Sequence, residues 1–230
     1  MVFFYLHQNG MLKFLDKIDL QTSDEVKNRP MSILYVSVRA VVLLFLSGAV
    51  IGFFHQTDWV VALICLIRIL YFVFFNAPKT IDNSTLKVVY LGMAITTVLG
   101  VAAELLGIYF GFWEYHDLSG NRTFPYWLPL MWGLSFLFLF RIESRLIRLI
   151  NITHFSQKLF ITAIVAFTLP TIGEIVAINL GVWTYYDMGP QLLGVPYLAM
   201  FLLMILHTGI FTFLTYVCKI KKIEAPIFKF

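Results

Sequence analysis

The segment ELLGIYFGFWEYHD at residues 104–117 decides the fold, because a close copy, EIVAINLGVWTYYD, follows at residues 174–187. Both copies place a Glu nine residues before a Trp, with a Gly, a Tyr and an Asp at the same intervals. Each Glu stands in an otherwise apolar run, where an ionisable group is costly and marks a functional site by default. The repeated segment therefore predicts where the site lies.

Composition predicts a membrane protein. The 230 residues are 60% hydrophobic and 13% charged, and the mean hydropathy is +0.83, which is too apolar for a soluble domain. Apolar blocks of spanning length occupy residues 32–54, 59–77, 88–112, 125–140, 159–183 and 196–218. These blocks are continuous and do not alternate, which favours helices over a barrel. We predict an all-α polytopic bundle of six transmembrane helices.

The repeat predicts how the bundle is organised. We expect an N-terminal segment at 1–30, possessing the pattern of an interfacial helix, a six-helix domain at 31–218 and a basic tail at 219–230. The domain divides into hairpins 32–77, 88–140 and 159–218. A fainter third copy at 52–58 has Phe45 where the Glu would be. Because the third and fifth helices run in the same direction, the repeats are parallel.

Lysine and arginine are distributed unevenly along the chain. Residues 1–31, the fourth-to-fifth helix connection and the tail hold four each, and three other loops together hold only Arg122. This asymmetry predicts a multi-pass protein of a bacterial inner membrane with both termini in the cytoplasm. Residues 141–148, with Glu143 among three arginines, are expected to continue the fourth helix into the cytoplasm. The net charge of +4 indicates contact with anionic lipid and not with nucleic acid.

Four ionisable residues are predicted to share one level of the bundle. Glu104 and Glu174 precede their Trp residues by nine positions, about 13 Å along a helix. Arg68 and His207 are expected at a similar depth, about 15–17 Å from the ends of their helices. One arginine neutralises one carboxylate, so the second is expected to keep its proton. An interhelical ion pair is the structural alternative.

We expect these four residues to be catalytic and a second set to bind the substrate. The second set comprises Trp113, Tyr115, Asp117, Trp132, Trp183, Tyr185 and Asp187. Trp and Tyr also favour the headgroup region on energetic grounds alone, which is the alternative interpretation of the aromatics. Their matched spacing to a Glu in both copies favours a cavity wall.

No cofactor and no resident metal is predicted. The chain has no P-loop and no dinucleotide-binding fingerprint, and its five histidines are scattered. His55 and His116 with Asp58 and Asp117 remain a lesser candidate for a divalent metal, since these are suitable ligand types.

The stretch from Glu174 to Tyr197 resembles a known family. Glu174, Gly181, Trp183, Tyr185, Gly189 and the Gly194-Val195-Pro196 run resemble the carotenoid-biosynthesis membrane proteins that include carotenoid 1,2-hydratases. The same run is similar to the small lycopene cyclase domains, which typically carry a Glu-Glu pair after the loop proline, where this chain has Tyr197 and Leu198. The resemblance implies a lipid-soluble isoprenoid substrate.

A proton-holding carboxylic acid in a dry aromatic cavity can act as a general acid. Protonating a terminal alkene would give a cation that aromatic faces stabilise and that water or a neighbouring double bond captures. We therefore expect a hydratase or cyclase acting on a polyisoprenoid. A proton-coupled transporter and a non-catalytic membrane scaffold are the alternatives.

Overall fold

The computed structural model describes residues 29–77, 81–118 and 122–229. Within these ranges the chain forms six α-helices and four short strands. The helices are α1 Arg29–Phe53, α2 Asp58–Tyr71, α3 Asn83–Tyr109, α4 Leu128–Ile150, α5 Phe155–Asn179 and α6 Tyr197–Lys221. The strands are β1 Trp113–Tyr115, β2 Trp183–Tyr185, β3 Gln191–Leu192 and β4 Val195–Pro196. The interfacial helix predicted within residues 1–30 falls almost wholly outside the described residues.

Five helical segments are long and apolar enough to cross a membrane. They are Pro30–Phe53, His55–Asn76, Asn83–Tyr109, Phe155–Asn179 and Tyr197–Lys221 among the described residues. Helix α4 is less apolar because its second half carries Glu143 and three arginines. This helix packs against α1, α2, α3 and α5, so much of its surface faces protein and not lipid. The chain has the form of a helical, multi-pass membrane protein.

Helices α3 to α6 form a closed ring. Helix α3 packs against α4, α4 against α5, α5 against α6, and α6 against α3. A shift of 70 residues brings the bounds of α3 close to those of α5 and the bounds of α4 close to those of α6. Helix α1 packs mainly along α5 and makes few contacts with α2, while α2 packs against α4. The two helices of the first predicted hairpin therefore pack against different helices of the ring and hardly against each other.

Helices α3 and α5 end in the same glycine cap. Gly111 has a φ of 71° and Gly181 a φ of 80°, a left-handed conformation that glycine adopts without steric cost. Phe112 N donates to Gly107 O at 2.8 Å, and Val182 N donates to Ala177 O at 3.1 Å, as in a Schellman motif. Helices α3 and α5 therefore end at Tyr109 and Asn179, so the predicted ends at 112 and 183 were wrong.

The two copies of the repeated segment pair with each other. Strands β1 and β2 are antiparallel, with Trp113 opposite Tyr185 and Tyr115 opposite Trp183. Two further hydrogen bonds, related by the same shift of 70 residues, flank this register: His116 N to Val182 O at 2.9 Å and Tyr186 N to Phe112 O at 2.8 Å. This pairing defines one end of the bundle, which we call the strand end.

The connections between helices lie at two opposite ends of the bundle. At the strand end, His55 contacts Asp117 and Arg122 contacts Asp58, so the α1–α2 connection lies beside the strands. At the opposite end, buried Lys158 donates to the main-chain oxygens of Pro226 and Lys229. Residues 52–58 lack the glycine cap and the strand of the two strong copies, so the faint third copy does not share their backbone geometry.

Candidate functional site

A cavity of about 170 Å³ lies among α1, α3, α4, α5 and α6, with β1 and β2 at its strand end. Eight of the eleven predicted site residues line it: Glu104, Trp113, Tyr115, Trp132, Glu174, Trp183, Tyr185 and His207. Pro170, one turn before Glu174, also lines the cavity. Proline at this position removes one hydrogen bond from the helix beside the cavity.

The carboxylate of Glu104 is held by two donors. Its Oε2 accepts a hydrogen bond from the indole nitrogen of Trp113 at 2.8 Å and from the hydroxyl of Tyr115 at 3.1 Å. Gly107, on the next turn of α3, lies directly under the outer ring of this indole, where a Cβ would clash with it. The missing side chain at Gly107 therefore allows Trp113 to reach Glu104.

The carboxylate of Glu174 is held differently. Its Oε2 accepts a hydrogen bond from the hydroxyl of Tyr185 at 3.1 Å, and within the described part of the chain this is its one side-chain donor. Ala177, fully buried, occupies the position equivalent to Gly107. Its methyl group stands where the glycine leaves room in the first copy, so Trp183 does not repeat the indole contact. The two acids are equivalent in sequence but unequal in their hydrogen bonds.

Four aromatic rings close the strand end of the cavity. The Trp113 and Tyr185 ring centroids are 5.7 Å apart, and those of Tyr115 and Trp183 are 5.6 Å apart. Burial, followed by the nearby carboxylates, raises the pKa of both tyrosines well above its usual range. The phenols therefore stay protonated at neutral pH and act as donors to the two acids.

The acids lie closer to the strand end than the repeat spacing predicted. Glu104 and Glu174 each stand five residues before the last residue of their helix, about 8 Å. The estimate of about 13 Å was wrong because the helices end before the Trp residues. His207 is ten residues into α6, about 15 Å from its start. The two acids and His207 therefore lie at two depths and not in the single layer that the sequence predicted.

His207 has a buried partner that the sequence analysis missed. Its Nε2 lies 2.8 Å from Oε1 of Glu143, and the side chains are 7% and 1% exposed. Glu143 was expected in the cytoplasm because arginines surround it. Phe136, Phe140 and Ile147 are also buried on α4, and their helical spacing includes Glu143, which is the signal that could have placed it in the interior.

Three predicted site residues lie away from the cavity wall. Arg68 is half-buried on α2, with its guanidinium 5.7 Å from the centroid of the Tyr71 ring. Asp117 and Asp187 are exposed at the strand end. The hydrogen bond from His55 lowers the pKa of Asp117 below its usual value. These three residues are not brought together with the two acids.

The lesser metal candidate is not assembled. The carboxylate of Asp58 accepts hydrogen bonds from both terminal guanidinium nitrogens of Arg122, at 2.7 and 3.1 Å. It also accepts one from the main-chain nitrogen of Tyr126 at 2.7 Å. His116 instead contacts the hydroxyl of Thr184 at 2.8 Å. Among residues 29–77, 81–118 and 122–229, no three His, Cys, Asp or Glu side chains are grouped to hold a metal ion.

Comparison with known proteins gives no relative: no family model, curated protein or solved structure matches the chain. The chemistry of the cavity is therefore the basis for assigning a function. It offers two carboxyl groups, aromatic faces that attract cations and an imidazole–carboxylate pair at a deeper level.

Proposed function

We propose that the protein is an integral membrane enzyme that protonates an alkene of a polyisoprenoid, with Glu174 as the proton donor. The observation that supports this most strongly is the unequal hydrogen bonding of two equivalent acids that line one aromatic cavity. Two donors on Glu104 stabilise its charged form more than the single donor does for Glu174. Glu104 is then the carboxylate, and Glu174 keeps the proton that is transferred.

The aromatic rings suit the intermediate that this transfer creates. The O–H bond of Glu174 breaks, a C–H bond forms at the alkene, and the neighbouring carbon becomes cationic. The faces of Trp113, Tyr115, Trp183 and Tyr185 stabilise that charge, and ionised Glu104 offsets it. Water captures the cation in a hydratase, and a neighbouring double bond captures it in a cyclase. Neither outcome requires a metal or a nucleotide.

We also propose the number of membrane spans, their repeat relationship and their orientation. We count α4 as the sixth membrane span, because its polar second half is enclosed by other helices, and we treat the α3–α4 and α5–α6 hairpins as parallel repeats. The lysine and arginine distribution supports cytoplasmic termini in a bacterial inner membrane.

The function is tested in a bacterial host that accumulates the linear polyene lycopene. Expression of the wild-type chain should convert lycopene to a hydrated or cyclised product, and Glu174→Gln should leave lycopene unconverted. Glu114→Gln is the matched control, since Glu114 lies between two lining residues on β1 but is exposed. If wild-type and Glu174→Gln hosts have identical isoprenoid profiles, the proposed activity is wrong.

A proton-coupled transporter is the second candidate, and the buried His207–Glu143 pair favours it. Together with the two acids, this pair places ionisable groups at two depths, as a proton relay requires. The measurement is uptake into proteoliposomes with and without a proton gradient. Gradient-dependent uptake that Glu174→Gln abolishes, with lycopene unchanged, would favour transport. No effect in either assay would favour a scaffold.

A further inference from the structure

One further ionisable residue, His207, lines the cavity besides the two acids. The side chain of Glu143 is 1% exposed, and within the described residues His207 is its one hydrogen-bond partner. Such a buried carboxylate persists only when a partner compensates its charge. An imidazole that donates from Nε2 to a carboxylate meets this need, and the same hydrogen bond fixes its tautomer.

The tautomer determines what the other ring nitrogen can do. When Nε2 carries the proton that faces Glu143, Nδ1 has a free lone pair and is an acceptor. Across the described ranges, Nδ1 of His207 has no hydrogen-bond partner, and His207 lines the same cavity as the two acids. His207 is therefore a nitrogen base oriented by a buried carboxylate in the wall of that cavity.

The base and the acids lie at different depths. His207 is about 15 Å into α6, whereas Glu104 and Glu174 are about 8 Å inside their helices, so the separation along the bundle is about 7 Å. A group that transfers a proton must approach within about 3 Å of its target. A substrate end group lying between the two levels can therefore touch an acid on one side and His207 on the other.

We propose that His207 is the base that ends the reaction and that Glu143 is its positioning residue. This inference rests on the proposed function. After Glu174 has protonated the alkene, a C–H bond beside the cationic carbon breaks, its electron pair forms a new double bond, and the proton passes to Nδ1 of His207. The contact with Glu143 stabilises the imidazolium. One proton enters the substrate and one leaves, so the product is an isomer of the substrate.

The test uses the purified full-length chain in lipid vesicles containing lycopene, suspended in heavy water. The wild-type product should be an isomer of lycopene that carries one deuterium in place of one hydrogen. His207→Gln should lower the turnover number about 100-fold or more. Glu143→Gln should lower the turnover number with little change in KM, and Glu143→Asp should restore part of it. His154→Gln, at an exposed histidine, is the matched control.

The outcomes separate the two proposals. A wild-type product heavier than lycopene by one water would uphold alkene protonation and overturn the role of His207. A folded Glu143→Gln protein with a wild-type turnover number would likewise overturn the positioning role, and thermal unfolding establishes that the variant is folded. A wild-type protein that converts no lycopene overturns the proposed function itself.

Discussion

Trp113 and Tyr185 face each other across the β1–β2 pair, 5.7 Å apart between ring centroids, yet they donate to different acids. Trp113 donates to Glu104 and Tyr185 donates to Glu174. The side chains that hold the two carboxyl groups are thus packed together as one unit. A change that moves either ring should be felt at both acids.

Gly107→Ala should destabilise the protein by about 1–3 kcal/mol, since the new methyl group overpacks the Trp113 indole. The clash involves the outer ring atoms Cη2, Cζ2 and Cζ3, which phenylalanine lacks. The cost should therefore fall in a Trp113→Phe background, as a double-mutant cycle of unfolding free energies would measure. An equal cost in both backgrounds would show that the indole is not the cause. Ala177→Gly is the reciprocal control.

Asp58→Asn should cost about 1–3 kcal/mol, because Arg122 and the Tyr126 amide lose a charged acceptor. Asp58 is 3% exposed and links the start of α2 to the α3–α4 connection. The measurement is thermal unfolding in detergent micelles. Asp187→Asn, at an exposed position, should change the midpoint little. Equal midpoints for the two variants would contradict this role of Asp58.

The contact between His55 and Asp117 should make stability depend on pH on the acid side. Because its native pKa is lowered, Asp117 contributes stability above its unfolded pKa of about 4 and loses that contribution as pH falls through the lower native value. The thermal midpoint of the wild type should exceed that of Asp117→Asn at neutral pH, and the two should converge at acid pH. A difference that persists or widens on acidification would contradict this.

Lys158→Met should release the C-terminal tail. Lys158 is 4% exposed, and its ammonium donates to the oxygens of Pro226 and Lys229 at 3.1 and 3.0 Å. Losing about 1–3 kcal/mol of hydrogen bonding should raise the open fraction of the tail about fivefold or more. Tryptic cleavage after Lys222 reports this fraction when opening is fast. The Lys87→Met variant, changed at an exposed lysine, should be cleaved by trypsin at the wild-type rate. Equal cleavage rates for Lys158→Met and Lys87→Met would contradict the anchoring role of Lys158.

Much of the cavity wall could be predicted from the sequence. The matched spacing in the two sequence copies allowed their Glu, Trp and Tyr residues to be assigned together, and all six line the cavity. The helix ends were also readable, since Gly111 and Gly181 stand where a left-handed cap is required. Counting all nine positions from Glu to Trp as helical ignored that signal and gave the wrong depth for the acids.

Other features depend on contacts between segments distant in sequence. A three-residue strand such as β1 has too little pattern to predict its pairing with β2. The ion pair of Arg122 and Asp58 joins residues 64 positions apart, and no local spacing encodes it. Glu143 was hidden for another reason: its neighbouring arginines suggested an exposed turn, although the helical spacing from Phe136 pointed to the interior.

The proposed reaction requires a neutral Glu174 and a charged Glu104 in the same cavity. Infrared spectroscopy of the protein in lipid at neutral pH detects the carbonyl stretch of a protonated carboxylic acid directly. Wild type, Glu104→Gln and the exposed control Glu114→Gln should all show this band, shifted in heavy water, and Glu174→Gln should lose it. A band that survives in Glu174→Gln, or that is absent from the wild type, would contradict the proposed role of Glu174.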